Sequence, residues 1–178
     1  VLDWLYTFFR SCFRFNIFGG NSARGDQSYA QLDDDDEVSS SSDNVYHETR
    51  RLLRLLENQY GTNHPSFYTS GDFASATQRA KRDYKLMLVY LHSEDHQDSP
   101  EFCRNVLCTE GFKEYVDANF VFFGADISTR GGYALSNRLG ATTYPFFAVI
   151  YVQQSQVNVV SRLEGSAVLD LDSLLVRL

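Results

Sequence analysis

Cysteine is scarce in this 178-residue chain: Cys12, Cys103 and Cys108 are the only three. An odd count with no repeated spacing makes no disulfide framework and suits a reducing compartment. Proline is equally rare, at Pro65, Pro100 and Pro145, so each one marks a particular break in the chain. No Asn-x-Ser/Thr sequon occurs, in keeping with a chain that faces the cytosol. Cations are in the minority, with 16 Lys and Arg against 23 Asp and Glu, a net charge of −7 and a pI near 5.0. That balance excludes general nucleic-acid binding, which needs a basic footprint. No apolar run stays free of charge for the roughly 20 residues that a bilayer span requires.

What is present is aromatic. Hydrophobic residues make up 43% of the chain, enough for a core, and aromatics 15%. They are dense at the start, VLDWLYTFFRSCFRFNIF over 1–18. There Asp3, Thr7, Arg10, Ser11 and Arg14 recur at three- and four-residue steps and share one narrow helical stripe. The other face carries Trp4, Leu5, Phe8, Phe9 and Phe13. Such a helix is about 27 Å long, and its charges suit it to lying in a membrane interface rather than crossing it. No small-residue cleavage pattern follows, so it does not read as a signal peptide. The alternative is a helix packed on the domain or on a partner, but so many exposed aromatics, otherwise an aggregation hazard, favour the membrane reading.

Residues 19–44 read as a linker. Gly19-Gly20 ends the first helix, and the acidic run Asp33–Glu37 followed by Ser39–Ser42 cannot bury a core. Arg24-Gly25-Asp26 falls in this segment as a chance tripeptide. The chain starts at Val1 and stops at Leu178, as a segment of something longer does.

From 45 to 178 the pattern is globular. Asp43 or Asn44 caps a helix that runs to Tyr60 and stops at Gly61. Thr49, Leu52, Leu53, Leu56 and Tyr60 share its less polar face. Ser70 or Asp72 caps a second helix over 73–84. Leu86–Leu91 is an unbroken apolar run, as a strand buried on both faces would be. Asp98-Ser99-Pro100-Glu101 is a helix start with cap, proline and acid in order. That helix runs to Leu107, and another turn follows from Thr109 to Val116. Phe120–Ala125 is a second buried strand and 132–139 a short helix. Phe146–Val152 and Val157–Leu163 flank a hairpin turn, and a helix closes the chain from Asp170.

The order α-β-α-β-α-β-β-α gives a parallel pair by crossover and an antiparallel hairpin. The fold class is therefore α/β, thioredoxin-like: a four-stranded mixed sheet flanked by helices. Thr143-Tyr144-Pro145 supports it, because that fold places a cis-proline just before the third strand.

In redox members of this fold the first strand and the next helix are joined by Cys-x-x-Cys, whose thiolate the helix N-terminus stabilises. Here that connection is His92–Ser99 and contains no cysteine. The pair would fall near His96 and Ser99. Cys103 and Cys108 lie within the helix and read as small core residues. His92 and His96 with those cysteines match no zinc spacing, and a His-Asp pair lacks a nucleophile, so no metal, cofactor or catalytic residue is assigned.

These residues, however, resemble a known family. His64-Pro65-x-Phe67-Tyr68, then AKRDYKLMLVYLHSEDHQDSPEFCRNVLC, TTYPFFAVI and Val159-Val160-x-Arg162-Leu163-Glu164-Gly165 are similar to the UAS domain of UBX-domain adaptors, over roughly 45–178. The resemblance implies a non-catalytic thioredoxin-like domain. For its membrane-anchored members it implies a place on the cytosolic face of the endoplasmic reticulum and on lipid droplets. It further implies service in degradation of ubiquitinated membrane proteins through a valosin-containing AAA ATPase. Ubiquitin and ATPase binding belong to flanking domains that this chain does not contain. Long-chain unsaturated fatty acids are the ligand implied, with an effect on self-association.

A fatty carboxylate needs a cation, and Lys81, Arg82 and Lys85 form the leading cluster, ahead of Arg104, Arg130, Arg138 and Arg162. Two other readings compete: a thiol-disulfide or peroxide enzyme, and a structural spacer between a membrane anchor and distal domains.

Overall fold

The computed structural model describes residues 40–153 and 156–178. The expected interfacial helix, with Trp4, Leu5, Phe8, Phe9 and Phe13, lies outside the described residues, as does most of the expected linker. No helix among the described residues is long and apolar enough to cross a membrane.

The first described helix, α1, spans Ser40–Tyr60. It begins inside the serine run, earlier than a cap at Asp43 or Asn44 predicts. It stops where expected, since Gly61 takes φ +88°, a conformation glycine adopts without penalty. Thr49, Leu52 and Leu56, at three- and four-residue spacing, are its buried stripe. Helix α2 spans Phe73–Arg82, two residues shorter than its pattern suggests. Asp72 is its cap, accepting from the Ser75 amide at 2.8 Å.

Strand β1 (Leu86–His92) is buried along nearly its whole length. Helix α3 (Ser99–Phe102) continues into a π-helical turn, Cys103–Leu107. The Cys108 amide closes it on the Cys103 carbonyl at 3.0 Å. Helix α4 (Glu110–Asn119), strand β2 (Phe120–Asp126) and helix α5 (Arg130–Leu139) follow. Strands β3 (Phe146–Gln153) and β4 (Gln156–Glu164) form the hairpin, and a 3-10 turn over Gly165–Val168 leads to α6 (Leu171–Arg177).

The sheet order is β2-β1-β3-β4. β1 and β2 are parallel from Leu86↔Phe120 to His92↔Asp126, and β1 and β3 are antiparallel. The register between β3 and β4 shifts at Val149/Ile150, a bulge that leaves Val160 as the extra residue.

Period-two alternation divides the core. Leu88 and Tyr90 of β1, Phe122 of β2 and Phe147 of β3 face one layer, under α1, α4 and α6. Met87, Val89 and Leu91, with Phe123 and Phe146, face the other, under α2 and α5. Tyr90 is the hub of the first layer. Its ring stacks on Phe147 at 5.2 Å and lies 5.5 Å from Phe102.

Candidate functional site

The C-terminal end of β1, where the redox chemistry of this fold would sit, is occupied by a hydrogen-bonded polar group. His92 is almost fully buried, and its Nδ1 lies 2.7 Å from the Tyr90 hydroxyl. Burial pushes the His92 imidazole below its ordinary value, although the Asp126 and Glu94 charges oppose this. The Tyr90 hydroxyl also lies 3.8 Å from the Cys103 sulfur. Burial drives the Tyr90 phenol well up and the Cys103 thiol to about 12. Cys108 is half-buried, and burial raises its thiol too. Neither cysteine presents a thiolate at the start of α3, in line with their reading as core residues.

The loop is exposed at Glu94, Asp95 and Gln97, while His96 reaches back to the neighbouring loop. The His96 ring accepts the Asp98 amide at Nδ1 (3.3 Å) and places Nε2 3.3 Å from Thr143 Oγ1. Asp98 does not cap α3, contrary to the sequence pattern: its backbone is already helical, and its side chain makes no cap bond. Ser99, at the place of the second missing cysteine, is 1% exposed and its hydroxyl has no partner.

The facing wall is the loop before β3. The Tyr144–Pro145 bond is cis, as the motif predicts. Glu164 clamps this loop, accepting from the Thr142 amide (3.0 Å), the Thr142 hydroxyl (2.8 Å) and the Thr143 amide (3.3 Å). Partial burial pushes the Glu164 carboxyl up, but these donors and Arg162 outweigh it and hold the group below its ordinary value. His96 thus meets the loop before β3 at Thr143 and Tyr144, next to the cis-proline Pro145.

The three basic residues are not gathered. Arg82 turns back to Asp83 at 3.3 Å, and the Lys85 ammonium donates to the Asp117 carbonyl at 3.1 Å. Of the three, Lys81 alone lines a groove of about 720 Å³ on the α2–α5 side of the sheet. Phe73, Phe123, Leu135, Val152 and Val157 give that groove apolar walls. Arg138 adds a second cation, its guanidinium 5.7 Å from the Phe73 ring, and Glu48 and Asp72 also border it. Sequence reasoning gave Arg138 second rank. Its i, i+3 spacing from Leu135 puts the two on one face of α5, and that was the available signal.

A thioredoxin-like sheet with its cis-proline retained and its thiol pair replaced defines a thioredoxin-like domain without the redox motif. Residues 52–139 match the sequence profile of the family described as Fas-associated factor 1. The chain is 41% identical over 114 residues to FAS-associated factor 2-B of Xenopus laevis and 40% identical over 114 residues to human FAS-associated factor 2. Each alignment covers 64% of this chain and 25% of the relative. Plant UBX domain-containing protein 10 of Arabidopsis thaliana is 37% identical over 122 residues, covering 66% of this chain and 25% of that protein. The chain therefore spans about a quarter of the length of the curated relatives it matches. A thioredoxin from Thermus thermophilus shares the fold with a TM-score of 0.51 at 23% identity, over 59% of this chain and 78% of that one. This chain carries a Fas-associated-factor-like domain, a UAS domain of the UBX-adaptor kind.

Proposed function

We propose that this domain is a non-catalytic, lipid-responsive module of a membrane-anchored ubiquitin-pathway adaptor. Its place would be the cytosolic face of the endoplasmic reticulum and lipid droplets. There it would serve degradation of membrane proteins, with ubiquitin and the valosin-containing AAA ATPase engaged by other parts of the whole protein. The names of the relatives, as factors and UBX-domain proteins, support the adaptor reading.

The observation that carries the lipid reading is the groove beside α2 and α5. An acyl chain gains about 0.8 kcal/mol for each methylene it buries, and the walls around Phe73, Leu135 and Val157 offer that burial. A carboxylate on the same molecule finds Lys81 and Arg138 in the lining, while Glu48 and Asp72 repel it elsewhere. A long-chain unsaturated fatty acid has both parts.

Oleate binding and oleate-dependent self-association of the full chain test this reading, with Lys81→Glu/Arg138→Glu beside wild type. Weaker binding and a blunted response in the variant support the groove. Equal responses reject it. Appreciable insulin reduction by the wild-type chain would instead favour a thiol-disulfide enzyme.

A further inference from the structure

Three described helices end in a left-handed residue: α1 at Gly61 (φ +88°), α5 at Gly140 (φ +69°) and α2 at Tyr84 (φ +54°). The α2 ending is a complete Schellman motif. The Lys85 amide donates to the Ala80 carbonyl at 3.0 Å and the Tyr84 amide to the Lys81 carbonyl at 3.3 Å. The α5 ending makes the same pair of bonds with glycine in the special position. Glycine or asparagine fits there with little cost, whereas a bulky side chain is strained. Tyr84 is the one non-glycine at positive φ among the described residues, and it is 98% exposed. Nothing in the fold accounts for the tyrosine, because its ring packs against nothing.

The surroundings give that ring a chemical context. The segment 79–85 holds Arg79, Lys81, Arg82 and Lys85 against a single acid, Asp83, in a chain of net charge −7. Asp83 accepts from both Arg79 and Arg82. With Lys85 tied to the Asp117 carbonyl, the turn presents an exposed aromatic beside positioned cations. Tyrosine and arginine are the residues that dominate binding energy at protein interfaces, and a rigid ring loses little entropy on docking. No other large apolar side chain is exposed at this turn, so a bilayer would gain little from it.

We propose that the α2–β1 turn is a docking surface for an acidic peptide segment of a partner protein. Tyr84 packs on the peptide, and Arg79, Arg82 and Lys85 meet its carboxylates.

The strain makes the test decisive. Tyr84→Asn relieves the left-handed residue, so the fold gains stability while the docking ring is lost. Binding of a labelled Glu/Leu peptide to the full chain is measured by fluorescence anisotropy, with the Lys/Leu counterpart as control, and thermal midpoints are recorded alongside. The proposal expects salt-sensitive binding of the Glu/Leu peptide only, loss of about tenfold or more in Tyr84→Asn despite a higher midpoint, and retention in Tyr84→Phe. It is overturned if the Glu/Leu peptide does not bind, if Tyr84→Asn binds as wild type does, or if the turn instead mediates binding to phosphatidylserine vesicles or to a second copy of the chain.

Discussion

The Tyr90 hydroxyl and Nδ1 of His92 lie 2.7 Å apart, both side chains sealed from water at the end of β1. The hydroxyl is also the polar neighbour of the Cys103 sulfur, at 3.8 Å. One hydroxyl therefore satisfies the buried end of the strand that a redox member of this fold would use to support its thiols. Tyr90→Phe removes it while keeping the ring stack on Phe147, and leaves a buried imidazole nitrogen unpaired. The expected loss is about 1–2 kcal/mol of stability, read from urea unfolding followed by circular dichroism.

His92 also sets a pH dependence. Its folded-state value lies below its unfolded one, so the folded protein binds fewer protons than the unfolded chain. Its stabilising contribution is present above the unfolded value, about 6.5, and is lost as pH falls through the folded value. The lowered carboxylates, Asp72, Asp83, Glu164 and Asp170, lose theirs further down, below the ordinary values of 3.8 for Asp and 4.5 for Glu. Unfolding free energy should therefore begin to fall just below about pH 6.5, and His92→Gln should flatten that first decline while leaving the second.

Cys103 should be chemically silent in the native state. A thiol moved from 9.0 to about 12 carries about a thousandfold less thiolate at neutral pH, and the side chain is fully buried. Ellman's reagent should reach Cys103 only on unfolding, and Cys108, half-buried, slowly. In a Cys12→Ser/Cys108→Ser chain, prompt labelling of Cys103 without denaturant would contradict this environment.

Much of this was legible beforehand, for physical reasons. The run Leu86–Leu91 is a doubly buried strand because every residue in it is apolar, and it is one. Thr143-Tyr144-Pro145 is legible because proline before a strand has few conformational options. The absent thiol pair can be read directly, since a helix start at Ser99 fixes where it would lie. Other features are tertiary. The π turn at Cys103–Leu107 inserts into an otherwise helical pattern, and periodicity does not mark it. Asp98 has the composition of a cap, yet its amide donates to His96 and its backbone is already helical. The proximity of Lys81, Arg82 and Lys85 in sequence suggests one site, but the Schellman ending of α2 turns the last two elsewhere. The groove, built from α2, α5 and both sheet ends, has no local signature at all. Tyr84 sits where glycine is expected, so its left-handed backbone was invisible until the turn was seen.

The groove and the polar cleft make competing claims on any ligand, and charge separates them. The loop at the cleft carries Glu94, Asp95, Asp98 and Glu101 and no Lys or Arg, which disfavours a carboxylate there. Leu135→Asp puts a charge into the groove wall without touching the cleft. It should weaken oleate binding about tenfold or more, as isothermal calorimetry on the folded variant would record.

Chemical-shift mapping of the isotope-labelled full chain during oleate titration tests the central claim most directly. A lipid-responsive module without the redox thiol pair predicts shifts concentrated at Phe73, Leu135, Arg138 and Val157, with His96, Thr143 and Tyr144 still. Shifts confined to those three cleft residues, or none anywhere, would contradict it.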